Sequence, residues 1–256
     1  MGDITKSVGR NYGVDLLKIT CMIMVAIIHV MGHGGILFNA SMFTMQYSLL
    51  WVLESIVYCA VNCYALITGY LYYGRSFKYS NILRLYFQVA FYGVTIFFLF
   101  YFFHPEMVGK KDLIKAVLPF AVDSQYWYFT AYFYLFFLIP FLNKMMASAT
   151  KKEATILLGS LFVFFSIVPT IAMSDPIKEN AGFSMLWLLV MYLFGAYIKK
   201  YELVGQYNRK LSIFGFLGTV LVTWLSKCGI EYLTQRVLGY VAYNSVFSIT
   251  HLHLFF

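Results

Sequence analysis

The chain has 256 residues, of which 61% are hydrophobic, 20% are aromatic and only 12% are charged. Because this leaves too little polar material to cover a water-soluble globule, the composition excludes a soluble protein and predicts a helical membrane protein coated by lipid. The formal net charge is +8, but the basic residues form short clusters between apolar runs. Such clusters meet lipid headgroups and orient helices, so no nucleic-acid partner is expected.

Apolar segments that are long enough to cross, or nearly cross, a bilayer follow one another along the chain. They are predicted at 14–37, 49–72, 82–103, 127–142, 154–172, 185–198, 211–225 and 238–256. The predicted fold class is therefore all-α: a polytopic transmembrane helical bundle of about eight spanning segments. We find no sign of a second domain, so residues 1–256 are predicted to form a single integral-membrane domain.

The Lys and Arg residues are distributed unevenly between the two sides of this bundle. With the N-terminus in the cytoplasm, thirteen of the 19 lie on the inner side. The other six fall in outer loops: Lys110, Lys111, Lys115, Lys178, Lys227 and Arg236. Cytoplasmic loops are enriched in Lys and Arg, so a cytoplasmic N-terminus and a multi-pass protein of the cell membrane are predicted. Residues 110–118 have the pattern of a short helix lying along the outer interface.

The first segment carries three ionisable residues, Asp15, Lys18 and His29. Each costs about 2.5–3.5 kcal/mol to insert, and such residues therefore mark pairing or function. Lys18 and His29 are eleven residues apart, which places them on one helix face at a separation of about 16 Å. Asp15 can pair with Lys18. His29 can serve as a general base near neutral pH, or it is a structural histidine hydrogen-bonded to a neighbouring helix.

His33 follows His29 by four residues on the same helix face, a spacing that can hold zinc. The metalloprotease pattern needs Glu directly after the first histidine, and Val30 stands there instead. Since the pattern offers no third ligand, we expect no metal site.

The second segment and the loop after it supply further candidates. Glu54 and Asn62 lie within the segment, and Arg75, Lys78 and Arg84 form a compact basic group after it. Glu54 can reach a cation of another helix, or it stays protonated and hydrogen-bonded. The basic group either orients the helices or grips phosphate groups from the cytosol.

Four motifs occur in a recognisable order. They are the run Arg10-Asn-Tyr-Gly-Val-Asp15-Leu-Leu-Lys18 with His29 eleven positions after Lys18, the run Asn62 to Tyr70 ending Thr68-Gly69-Tyr70, the basic group Arg75, Lys78 and Arg84, and the run Gln125-Tyr126-Trp127-Tyr128-Phe129 followed by Pro140. Together they resemble the acyltransferase 3 family of integral-membrane acyltransferases, over Arg10 to about Asn143. Two positions depart from the family pattern: Lys18 replaces the common arginine, and Thr68 replaces serine.

The resemblance implies an O-acyltransferase that transfers an acetyl group from acetyl-CoA to a hydroxyl of a cell-envelope or extracellular polysaccharide. Acetyl-CoA would be the donor substrate without any metal, and the partners would be the lipid bilayer and a carbohydrate acceptor. The implied roles are catalysis by His29, Lys18 and Glu54, donor binding by Arg75, Lys78 and Arg84, and acceptor binding by Trp127, Tyr70 and Asn62.

Two other functions are consistent with the residues. The first is a transporter or flippase for a polar or lipid-linked substrate, in which His29, Glu54 and Lys18 form a proton relay. The second is an inactive, truncated membrane subunit. The family typically has about ten spanning helices, so the resemblance implies either that this chain is shorter than its relatives or that a segment is missing after Phe256.

Overall fold

The computed structural model describes residues 11–121, 126–169, 182–206 and 208–238, which form helices and, among these residues, no strand. We number the described α-helices in chain order: α1 Tyr12–His33, α2 Ile36–Asn39, α3 Met45–Val57, α4 Ala60–Tyr72, α5 Ser80–Phe103, α6 Lys110–Val117, α7 Trp127–Ser148, α8 Lys151–Phe162, α9 Met185–Lys200 and α10 Arg209–Leu238. A 3-10 turn at Pro105–Met107 precedes α6, and a π-helical turn at Val163–Ile167 extends α8.

Several of these helices are long and apolar enough to cross a membrane, which confirms the predicted all-α transmembrane class. The described part of the chain contains 5 such spans: Tyr12–His33, Met45–Tyr72 (α3 and α4 together), Ser80–Phe103, Trp127–Ser148 and Arg209–Leu233 (most of α10). The segments predicted at 154–172 and 185–198 are helical where they are described, but α8 and α9, with 12 and 16 residues, are shorter than each of these five spans. Residues 239–256 of the last segment lie outside the described residues, so the number of about eight spans stays a prediction.

The second apolar segment, predicted as one helix, contains two. α3 ends at Val57 and α4 begins at Ala60. The amide of Tyr58 still donates to the carbonyl of Glu54 at 3.0 Å. Cys59, however, has a ψ of −7°, far from the value of about −42° in an α-helix. The regular helix is therefore interrupted within this span.

α9 is the centre of the packed core, since eight of its 16 residues are buried. It lies against α4 with backbone in contact with backbone. Gly69 abuts the carbonyl of Tyr192, and Gly195 abuts the carbonyl of Leu66, so a side chain at either glycine would overlap main-chain atoms. Small residues allow membrane helices to approach this closely.

Polar side chains fix the helix ends at the side of the bundle where α4, α7 and α9 end. Asn143 donates to the carbonyl of Tyr72 at 3.1 Å and accepts from the hydroxyl of Tyr192 at 2.7 Å. The ammonium of Lys200 donates to three carbonyls at the end of α7, at 2.5–3.2 Å. These carbonyls have no partner within α7, so Lys200 acts as its C-terminal cap.

α8 begins at the same side with a reciprocal capping box. The hydroxyl of Thr150 accepts from the amide of Glu153 at 3.3 Å, and the Glu153 carboxylate accepts from the amide and hydroxyl of Thr150 at 2.8 Å. The amide of Thr150, together with its hydroxyl, holds the pKa of Glu153 below its ordinary value. The turn between α7 and α8 is thereby fixed.

α6 is the short helix that the sequence pattern predicted along the outer interface, and it packs against α5. It runs beside α5, where Ala116 packs on Gly93 and the hydroxyl of Tyr86 donates to the carbonyl of Val117 at 2.9 Å. Gly93 lies ten residues before the end of α5 at Phe103, which is about 15 Å along the helix axis. Because Gly93 has no side chain, it leaves room for α6 to pack this far along α5.

α10 continues past residue 225, where the seventh predicted segment ended, so the prediction that Lys227 lies in a loop is wrong. Lys227 pairs with Glu231 one helical turn later, and their side chains are only 4% and 1% exposed. The hydroxyl of Tyr47 on α3 donates to the second carboxylate oxygen at 2.7 Å, and the Lys227 ammonium lies 4.1 Å from the ring centre of Trp51. A buried charge is tolerated when a partner neutralises it, so the helix need not end before Lys227.

Candidate active site

One flank of α1 connects the two ends of the candidate site. Lys18, Met22, Val25 and His29 follow one another at helical spacing on this flank. His29 is exposed and Lys18 is half-buried. Their eleven-residue separation corresponds to about 16 Å, as predicted from the sequence.

The imidazole of His29 is held by its own helix. Its Nδ1 lies 2.8 Å from the carbonyl oxygen of Val25. A carbonyl can only accept a hydrogen bond, so Nδ1 carries the proton and the lone pair of the neutral ring is on Nε2. The prediction of a structural histidine bonded to a neighbouring helix is therefore not met among the described residues. The bond also fixes the orientation that a proton acceptor needs.

Lys18 lies where α1 meets α4. The hydroxyl of Tyr64 donates to the backbone carbonyl of Lys18 at 2.7 Å. No ion pair joins Lys18 to Asp15 in the described part of the chain, contrary to expectation. The positive charge of Lys18 is therefore not neutralised by Asp15.

The predicted basic group lies at the same end. Arg75 and Lys78 are in the connection from α4 to α5, and Arg84 is in the second turn of α5. All three are exposed, and no acidic side chain of the described residues pairs with them. Arg75 follows Tyr70, whose ring lies 5.2 Å from the ammonium of Lys199 on α9. The structure thus gathers cations from separate helices at one end.

Glu54 lies at about the height of His29 but does not contact it. Tyr64 contacts Lys18, and α1 and the α3–α4 span run in opposite chain directions, so Glu54, ten positions before Tyr64, is about level with His29, eleven positions after Lys18. Glu54 falls two turns after Tyr47, on the α3 face that packs on α10. The side chain is 7% exposed, and its Oε2 has no hydrogen-bond partner within the described residues. Its catalytic role stays a prediction.

The predicted acceptor residues are divided between the two ends of α9, with Asn62 and Trp127 near its start and Tyr70 near its end. Asn62 accepts from the indole nitrogen of Trp187 at 2.7 Å and so ties α4 to α9. Trp127 packs on Phe183, with ring centres 4.9 Å apart. Tyr70 lies at the basic end with Lys199. The structure does not bring these residues into one pocket, and their acceptor role stays a prediction.

Sequence reasoning missed two groups of polar residues. Glu231 has no role in the sequence-based predictions, although Lys227-x-x-x-Glu231 has the spacing of a helical ion pair and could have indicated it. Lys199 is one of the thirteen cations predicted on the inner side, and no signal in the sequence connects it to Tyr70. That neighbourhood comes from the close approach of α4 and α9.

No group of three or more His, Cys, Asp and Glu side chains within the described ranges could hold a metal ion. The four cysteines in the chain are free thiols.

Comparison with known proteins identifies the family. The sequence model of the acyltransferase domain of the acyltransferase 3 family matches residues 11–252, which is almost the whole chain. No curated protein and no solved structure matches the sequence. The match, together with the apolar spans, shows that this chain belongs to the acyltransferase 3 family and is a multi-pass membrane acyltransferase.

Proposed function

We propose that the protein is an O-acyltransferase that moves an acetyl group from acetyl-CoA to a hydroxyl group of a cell-envelope or extracellular carbohydrate. The family supports acyl transfer within a membrane. The finer proposal rests on one observation: His29 and Lys18 lie on the same flank of α1. The His29 ring has its lone pair on Nε2, and Lys18 lies at the basic end.

The donor would bind at the basic end. Arg75, Lys78 and Arg84 carry positive charge without an acidic partner among the described residues. Clustered cations bind phosphate oxygens strongly, and arginine does so through two parallel hydrogen bonds. Lys18 would add a further cation from α1. With the phosphates of CoA held there, the flexible pantetheine arm would carry the acetyl group along α1 towards His29.

His29 would act as the general base. The acceptor hydroxyl oxygen attacks the thioester carbonyl carbon while Nε2 of His29 takes the hydroxyl proton. The carbon–sulfur bond breaks as the ester bond is completed, and the thiolate of CoA leaves. The imidazolium then gives its proton to the thiolate, which restores neutral His29. Lys18 lies about 16 Å away along the helix, too far to supply this proton.

The experiment that tests this function is mass spectrometry of envelope glycans from cells with and without the gene. We expect glycans from the deletion strain to lack one acetyl unit per modified sugar, and a plasmid copy of the gene to restore it. Identical acetylation in the two strains, with the protein present in the membrane of the parent, would contradict the proposal.

A further inference from the structure

Two histidines lie one helical turn apart at the end of α1. His29 and His33 are both exposed, their ring centres are 5.4 Å apart, and the ring planes are inclined by 38°. His33 is the last residue of α1 and makes no hydrogen bond with any of the described residues. The pair is therefore accessible from outside the helix core, with one ring fixed and the other able to turn.

The hydrogen bond of His29 is the one that prepares an imidazole for a metal ion. Metal-binding histidines almost always donate their second ring N–H to a carbonyl or carboxylate, which fixes the tautomer and directs the other nitrogen at the ion. Nδ1 of His29 donates in this way to the carbonyl of Val25 at 2.8 Å. Its Nε2 is left as the ligand atom.

The separation of the rings fits a shared ion. In tetrahedral zinc sites each nitrogen lies about 2.0–2.1 Å from the metal, which puts two bound imidazole centres about 5 Å apart. The observed 5.4 Å is close to that value. Two histidines at i and i+4 on one helix are also the pair that zinc enzymes use as ligands.

The number of ligands limits what kind of site this is. Because no group of three protein ligands occurs in the described part of the chain, water would complete the coordination. Such a site binds reversibly and does not hold a resident cofactor. Imidazole selects zinc, copper and nickel, and the hard cations magnesium and calcium prefer oxygen ligands.

We propose that His29 and His33 chelate a divalent transition-metal ion, and that the bound ion reversibly inhibits acyl transfer by occupying Nε2 of His29. The binding half of this proposal depends only on the geometry of the pair. The inhibitory half rests on the proposed function, because an ion bound to Nε2 stops acyl transfer only if Nε2 is the atom that accepts the proton.

Binding is tested with the purified full chain in nanodiscs, produced without a histidine tag. The sequence has 5 histidines, so the parent for the test carries His104→Gln, His251→Gln and His253→Gln and keeps only the pair. Titration calorimetry with NiCl2 should give one site in this parent. Adding His33→Gln should weaken that site by more than the roughly 10-fold that loss of a supporting partner costs.

Titration with MgCl2 is the matched control and should give no binding. Equal nickel affinity with and without His33, or no binding to a parent that is folded by circular dichroism, would overturn the proposed site. The fold of His33→Gln is checked by the same spectrum, and His33→Asn is a second variant if the first does not fold.

Inhibition is tested by initial rates of acetyl transfer at increasing NiCl2. The parent should lose activity over the concentration range in which it binds nickel, and His33→Gln should keep its activity to at least about 10-fold higher nickel. Nickel binding without any inhibition would overturn the inhibitory half. Nickel binding to a protein that transfers no acetyl group would leave the metal site standing and overturn the proposed function. Normal acetyl transfer by a protein that does not bind nickel would overturn the metal site and leave the proposed function standing.

Discussion

At the scale of single residues, the hydrogen bond from His29 to Val25 decides what the histidine can do. Because the acceptor is a carbonyl of the same helix, the ring is oriented without help from another element. The family resemblance implied a catalytic role for Glu54 together with His29. The structure directs Glu54 towards the face that contacts α10. A sequence can indicate that two residues lie at the same depth in the bundle. It cannot indicate whether the helix faces that carry them point towards each other.

Arg84 is predicted to bind the donor rather than the acceptor. We expect Arg84→Ala to raise the KM for acetyl-CoA about tenfold, the effect of losing one hydrogen bond to a charged group. The KM for the carbohydrate should stay unchanged. The control is Lys152→Ala, which removes an exposed cation at the start of α8. Steady-state kinetics with each substrate varied in turn makes the comparison, and an equal rise in both KM values would indicate a structural arginine.

The Lys227–Glu231 pair is predicted to stabilise the fold only as a pair. Removing one partner leaves a buried charge unpaired, so Lys227→Met or Glu231→Gln should each lower the free energy of unfolding by about 3 kcal/mol. The double variant Lys227→Met/Glu231→Leu leaves no charge behind and should lose less than either single variant. Unfolding in detergent followed by tryptophan fluorescence measures this, and additive losses in the double variant would contradict it.

At the scale of helices, the contact between α4 and α9 depends on its two glycines. Gly69→Ala would place a methyl group on the carbonyl of Tyr192, so we expect little folded protein from this variant. Gly218→Ala on α10 is the matched control, because open space surrounds that position. It should fold as well as wild type, since alanine favours helices by about 1 kcal/mol over glycine. Fluorescence-detected size exclusion compares the yields. Equal yields from both variants would show that the two helices are not in backbone contact.

Most helices were predictable, and their irregularities were not. The apolar runs set the positions of α1, α5 and α7 because long unbroken hydrophobic segments must become helices in lipid. The interruption between α3 and α4 has no proline or glycine to indicate it. The packing of α6 beside α5 depends on a glycine of another helix. Such features arise from contacts between helices. The hydrophobic periodicity of one helix carries no information about those contacts.

At the scale of the whole molecule, the predicted orientation puts the basic end in the cytoplasm and His29 towards the outside. A donor made in the cytosol and an acceptor in the envelope would then meet across the bilayer. In a cysteine-free background, Lys152→Cys should react with a membrane-impermeant maleimide only after cells are permeabilised. Lys111→Cys, on the short helix α6, should react in intact cells. The opposite pattern would reverse the orientation and exclude cytosolic acetyl-CoA as the donor.

The proposed mechanism depends on His29 as the proton acceptor, and the rate of acetyl transfer by His29→Gln in liposomes loaded with acetyl-CoA tests this most directly. General-base catalysis contributes about 10²–10⁴-fold, so the rate should fall by that factor while CoA binding and folded yield stay at wild-type levels. His33→Gln, one turn away on the same helix, is the control and should keep its activity in metal-free buffer. Transfer by His29→Gln at a rate close to that of wild type would contradict the mechanism.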